Sequence, residues 1–216
     1  MRIGCLGCLS LTVIILVVAV AAAGFMFLSG NMAEPPEFSQ TPFTRSDGFS
    51  AQQKLYEVVL RQSGRSHRQD AVVLTEQEVN AFLANHLAEA ADLAFSPLSV
   101  KFTRGLIEVR GQTALRNLLQ GAPFTQLLPY LPAERLDRPV WVTVKGRIVL
   151  EPGPAGATRG YGKVDLVEFA LGKQPVGTWL LPFMLGSTGG RLLRWQVPAV
   201  VQDITLEDGR AVISTR

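Results

Sequence analysis

Two histidines, two cysteines, a glycine-rich loop and a few carboxylates are the residues of this chain that could do chemistry. Their spacing assembles no catalytic set. His67 sits in an arginine-rich stretch with Arg65 and Arg68, and His86 falls on a predicted helix beside its apolar stripe. A zinc site needs His, Cys or carboxylate ligands at short fixed spacing; the chain has no HExxH, and its only cysteines are Cys5 and Cys8. Cys5-Leu6-Gly7-Cys8 has metal or redox spacing, but no second ligand pair accompanies it. Thiols beside an apolar segment are sites of acylation or plain small residues. A lipoprotein signal would place cysteine after the apolar stretch, and here both precede it.

Gly186-Ser187-Thr188-Gly189-Gly190 is not GxSxG and has no P-loop lysine. Beside Arg191 and Arg194 it reads as a phosphate-holding nest or as a flexible loop. Asp165 and Glu168, three apart on a predicted strand, fall on opposite faces and make no acid–base pair. Arg61, Arg65 and Arg68 suit either anionic lipid or a solvated loop. The expectation is a non-enzymatic protein with no catalytic residue, no metal and no cofactor.

The elements around these residues begin with an apolar segment. From Leu6 to Leu28 there is no charged residue, and 13 of the 23 positions are Leu, Ile, Val or Phe. At 1.5 Å per residue a helix of that length spans roughly 34 Å, enough to cross the hydrocarbon core. Arg2 precedes the segment, while Glu34 and Glu37 follow it, so the positive-inside rule puts the N-terminus in the cytoplasm. The competing reading is a cleaved signal peptide at Ala21-Ala22-Ala23, but the run continues apolar through Phe25, Met26, Phe27 and Leu28. The expectation is a single-pass protein of the cell membrane, with its domain periplasmic or extracellular. Formal net charge is +3, and basic and acidic residues nearly balance beyond the segment, which argues against a nucleic-acid partner.

Residues 1–28 are thus read as a transmembrane anchor, 29–49 as a proline-bearing linker and 50–216 as one extracytoplasmic domain. Ser50 and Gln53 fit a capping box, Leu55, Val58 and Val59 form an apolar stripe, and the polar stretch from Ser63 to Asp70 ends that helix. Val72 to Leu74 reads as a short strand. Thr75 and Glu78 form a second capping box, and Val79, Phe82, Leu83 and Leu87 predict a helix over 76–90. The period then becomes two: Leu98, Val100 and Phe102, a turn at Thr103-Arg104-Gly105, then Ile107 and Val109. A long strand runs from Val140 to Leu150 and another reaches Leu171; a final hairpin turns at Glu207-Asp208-Gly209. Helices first and hairpins later predict an α+β fold, an N-terminal transmembrane helix followed by helices packed on a curved antiparallel sheet.

Two connections are too apolar for solvated loops. One runs from Leu115 to Leu136 and the other from Val176 to Trp195. The bland reading is short helices covering a sheet face. The functional reading is an apolar groove, with Phe124, Leu127, Leu128, Tyr130, Leu131, Trp179, Leu180, Phe183 and Met184 as candidate ligand-binding residues.

The run Val73-Leu74-Thr75-Glu76-Gln77-Glu78-Val79-Asn80, the hairpin Leu98 to Gln112 and the terminal Ile204-Thr205-Leu206-Glu207-Asp208-Gly209-Arg210 come in an order that resembles uncharacterised bacterial membrane-anchored proteins. The outer domain of those proteins looks like half of a tubular lipid-binding (TULIP-like) module. The resemblance covers residues 70–216. It implies a helix packed on a curved antiparallel sheet with an apolar groove between, and hence lipid binding. The expected partner is membrane lipid; the alternative is a scaffold or assembly subunit held by another envelope protein.

Overall fold

A computed structural model of the chain describes residues 41–86, 95–119, 124–151, 159–181, 184 and 193–216. The expected membrane span, residues 6–28, lies outside them. Among the described residues no helix is long and apolar enough to cross a membrane.

The domain is α+β, with few helices and a large antiparallel sheet. Helix α1 is Arg45–Gln62. It starts ahead of the expected Ser50 cap because Thr44 and Asp47 make a better one. The Asp47 carboxylate accepts the Thr44 backbone N–H at 2.7 Å and its hydroxyl at 2.8 Å. Residues 45–49 therefore belong to the domain and not to the linker. The helix stops where Gly64 takes a φ of 69°, with Gly64 N–H donating to Arg61 O and Arg65 N–H to Leu60 O, the Schellman pattern. Gly48 and Ala51 let α1 approach the next helix closely: a Cβ added at Gly48 would lie 2.6 Å from Asn85 Nδ2.

Strand β1 (Val72–Thr75) leads into α2 (Glu76–His86). The expected capping box is present, with Glu78 Oε2 accepting Thr75 N–H at 2.9 Å and Thr75 Oγ1 accepting Glu78 N–H at 3.3 Å. Strands β2 (Leu98–Thr103) and β3 (Leu106–Ala114) form the predicted hairpin. After it come α3 (Leu115–Leu118), a 3-10 helix at Phe124–Tyr130 and α4 (Ala133–Leu136). Strands β4 (Pro139–Glu151) and β5 (Arg159–Leu171) are the long pair, followed by the short β6 (Gln174–Val176) and β7 (Arg194–Pro198). The chain ends in β8 (Val201–Glu207) and β9 (Arg210–Thr215).

The terminal hairpin stands outside the large sheet. It joins β1 in a separate three-stranded sheet of order β1-β9-β8. The large sheet has the order β2-β3-β4-β5-β6, and β7 pairs with the other half of the same β5 edge.

The two sheets meet at β2. Its outer edge would expose unpaired backbone groups. Asn80 of α2 receives Val100 N–H at 2.6 Å and donates to Val100 O at 2.9 Å. Glu76, one helical turn earlier, accepts Phe102 N–H at 2.7 Å. Gly209 N–H donates to Phe102 O at 3.1 Å, and Gly105 N–H to Leu206 O at 2.9 Å. Val100 and Phe102 then pack with Leu206 and Ala211 into one core cluster.

Candidate functional site

The alternation of β4 sorts the large sheet into two faces. Val140, Val142 and Val144 point to one side, with Phe169 and Leu171 of β5 opposite them in register. Thr143 and Lys145 point to the other, beside Ala170 and Glu168.

The apolar face carries both apolar connections, packed on it as short elements. Leu115, Leu118, Leu119 and Leu136 come down onto Val140, Val142, Phe169 and Leu171 from one excursion, and Leu181 and Met184 from the other. Both apolar segments thus share one cluster at the end of the sheet away from β1, β8 and β9. Of the candidate residues, Leu128, Leu131 and Leu180 are partly buried against that cluster, and Met184 is fully buried inside it. Trp179 is 66% exposed, with its ring folded over Gly177. Phe124, Leu127 and Tyr130 lie on the 3-10 helix; their side chains, and Phe183, lie outside the described residues. Sequence reasoning missed Phe95, which packs on the same cluster. It also ran the second connection too far, since Trp195 belongs to β7, where a Cβ on its partner Gly162 would lie 2.5 Å from the indole.

The excursion from Leu115 to Leu136 is held by apolar contact. Among the described residues its hydrogen bonds are local or close its base: Leu115 N–H to Arg138 O at 3.1 Å, Leu131 N–H to Leu128 O at 3.2 Å and Asn117 Nδ2 to Thr113 Oγ1 at 3.1 Å. An Arg116–Asp137 ion pair at 2.6 Å spans the same base.

The opposite face holds a polar hollow that sequence reasoning did not find. It measures about 340 Å³ and is lined by Arg110, Thr143, Lys145, Glu168, Ala170, Gly172 and Lys173. Lys145 pairs with Glu168 at 2.8 Å, Arg110 pairs with Glu108, and Thr143 Oγ1 is buried with no hydrogen-bond partner. Only the β5–β6 turn, where Gly172 has a φ of 58°, brings Lys173 to it, and that turn had no signal beyond the glycine.

Asp165 and Glu168 share a face. Glu168 sits opposite Lys145 and Asp165 opposite Arg147, because an extra residue at Val167 resets the alternation. They make no acid–base pair even so, since Glu168 binds Lys145 and Asp165 binds Lys163 at 2.7 Å. The Asp165 hydrogen bond raises the Lys163 pKa. Arg61 does not face lipid or solvent. Its side chain is 2% exposed and donates to Asp70 O at 2.6 Å and Thr215 Oγ1 at 2.7 Å, tying α1 to β9. His67 is exposed, and His86 ends α2. Arg194 pairs with Glu151 at 3.0 Å and stacks 4.4 Å from the Tyr161 ring centre; the glycine loop at 186–190 lies outside the described residues. No group of three or more metal-ligating side chains occurs among the described residues. No family model, no curated protein and no solved structure matches the chain, so the reading of this site rests on its geometry.

Proposed function

We propose that the chain is a non-enzymatic, membrane-tethered protein whose extracytoplasmic domain binds lipid or another apolar ligand under the cover formed by 115–136 and 176–184. The uncharged stretch 6–28 supplies the tether, with the N-terminus cytoplasmic. One observation carries the ligand reading: two separate short-element excursions meet over one apolar cluster, which their described residues touch mainly through side chains. Among the described residues of these excursions only Val176 belongs to a sheet, where it pairs with Phe169. An acyl chain entering the seam would replace those contacts in kind, each Å² of apolar surface it buries contributing about 25 cal/mol. The TULIP-like resemblance agrees with this reading.

Exposed Trp179 favours a second reading, in which the same end of the domain docks on another envelope protein as a scaffold subunit.

The test pairs two variants of the full chain in mild detergent. Leu118 is 0% exposed, so Leu118→Asp leaves an unpaired buried charge and should unfold the domain. Leu128 lies only partly buried at the seam, so Leu128→Asp should keep the melting temperature within a few degrees and abolish co-purified lipid in native mass spectrometry. Wild-type protein that carries no lipid, with one stoichiometric protein partner instead, would overturn the ligand reading in favour of the scaffold.

A further inference from the structure

We infer that the outward face of α1 lies along the membrane surface and is a built-in docking face for an anionic bilayer. The inference rests on the tether proposed above. Helix α1 packs Gly48, Ala51 and Val58 inward and leaves Phe49, Tyr56 and Val59 exposed on another face. That face reads Arg45, Phe49, Gln52, Tyr56, Val59 and Ser63, which at 100° per residue falls within one narrow stripe. Phe49 is 63%, Tyr56 57% and Val59 54% exposed. A predicted core stripe had included Val59; the structure turns it outward.

The charges of this stripe and of the loop after it are mostly basic, and Asp70 in that loop pairs with Arg61 at 3.3 Å. No acidic residue lies on the stripe. The two carboxylates of α1 sit off it and are engaged, Asp47 by Thr44 at the cap, Glu57 by Arg61 and Ser66. Arg45 marks one end, and the exposed Arg65 and Arg68 follow the other. An aromatic and aliphatic stripe between cationic ends fits the headgroup boundary of an anionic leaflet, with rings entering and arginines meeting phosphates. A hydrophobic protein groove would ask for a denser apolar face than three residues interleaved with glutamine. Reach is also satisfied: 16 residues separate Leu28 from Arg45, at most about 55 Å of extended chain. The first element of the domain is therefore the one the tether brings to the bilayer.

The experiment uses the full chain with Cys5→Ser and Cys8→Ser, carrying one label site at Tyr56→Cys or, as a control on the large sheet, at Val167→Cys. Val167 is 53% exposed, comparable to Tyr56. Each protein is labelled with an environment-sensitive fluorophore and reconstituted into phosphatidylcholine vesicles with or without phosphatidylglycerol. With phosphatidylglycerol, the label at 56 should become severalfold less accessible to a water-soluble quencher, while the label at 167 stays open. Adding Arg65→Gln or Arg68→Gln should lower the docked-to-free ratio by about fivefold each. Equal accessibility at 56 and 167 in anionic vesicles would overturn the proposal. So would protection that follows protein density and ignores phosphatidylglycerol, since that marks a second copy on the stripe. Flotation with vesicles after an alkaline wash reads the tether separately: floating protein with an open label at 56 sinks the docking face alone, and protein washed off sinks the tether.

Discussion

Asn80→Asp would test the seal between the two sheets with almost no change of shape. Asn80 is 1% exposed, and its carboxamide is the partner of both Val100 backbone groups. The introduced carboxyl can still accept Val100 N–H through one oxygen. Its other oxygen replaces the Nδ2 donor 2.9 Å from Val100 O, where two acceptors then face each other. Ionised, it is a buried charge beside a carbonyl; protonated, it restores the lost donor. Holding the proton at pH 7 costs about 1.4 kcal/mol for each unit above an ordinary aspartate value near 3.9, so the penalty is capped at about 4 kcal/mol. That is a large share of the 5–15 kcal/mol, in round terms about 10, that holds a domain folded. The folded state raises this carboxyl's pKa, so the unfolded state releases the proton first as pH rises. The deficit against wild type should then be near its cap at pH 7 and shrink by up to about 1.4 kcal/mol per unit toward pH 4. Urea unfolding of both proteins across that range measures it, and hydrogen exchange at the Val100 amide reports the seal directly. A deficit below about 1 kcal/mol that ignores pH would refute the reasoning, because it would mean that water reaches the β2 edge.

Two further predictions follow from α1. A fragment of residues 41–216 should fold in detergent-free buffer, whereas 50–216, cut at the boundary the sequence suggested, loses the Thr44–Asp47 cap and the Gly48 contact and should be less stable by at least about 1 kcal/mol in thermal or urea melts; equal melts would show that the first turn contributes nothing. Glu57 is held below its ordinary value of 4.5 by the Ser66 hydroxyl first and the Arg61 guanidinium second. A depressed carboxyl adds stability above 4.5 that disappears as pH falls through the lower folded value, so Glu57→Gln should flatten the stability curve in that acidic window and leave its shape near neutrality unchanged.

What the sequence made legible was periodicity and turn chemistry. The β2–β3 and β8–β9 hairpins, the long β4 and the Thr75–Glu78 box stand where alternation and capping residues put them. Long-range partnership was not legible. Asn80 and Glu76 looked like ordinary polar positions of a helix start, and their i, i+4 spacing on a face otherwise rich in Val79 and Leu83 was the only hint that they bind a strand edge. Arg61 looked solvated because nothing local shows that Thr215, at the far end of the chain, will accept its hydrogen bond. The bulge at Val167 defeated a two-residue count, and whether β9 closes one sheet or starts another depends on where β1 lands. The two apolar connections were legible as apolar content, and described residues of both share one packed cluster. Which of their side chains would be core and which rim was not: Met184 and Trp179, both named as candidates, stand at opposite extremes of burial.

The two ends of the apolar face differ in what opening them would cost, and that difference is the strongest physical argument about where a ligand could enter. At the β2 end, lifting α2 and the small sheet away would strand Val100 N–H, Val100 O, Phe102 N–H and Phe102 O together. Each group left unsatisfied away from water costs about 1–3 kcal/mol, so that end opens only with unfolding. At the far end, the described residues of the excursions over Phe169 and Leu171 meet the sheet mainly through leucine and methionine side chains, with Val176 paired to Phe169, and the hydrogen bonds among the described residues of 115–136 stay within the excursion or at its base. Displacing them exposes apolar surface that an acyl chain would cover again. A domain built this way can keep its sheets fixed while one end of its core exchanges partners. The hydrogen-bonded end carries the same small sheet that Arg61 ties to α1, so the rigid half is also the half next to the proposed tether. If α1 docks on the bilayer as proposed, a ligand taken up at the far end would be held away from that bilayer.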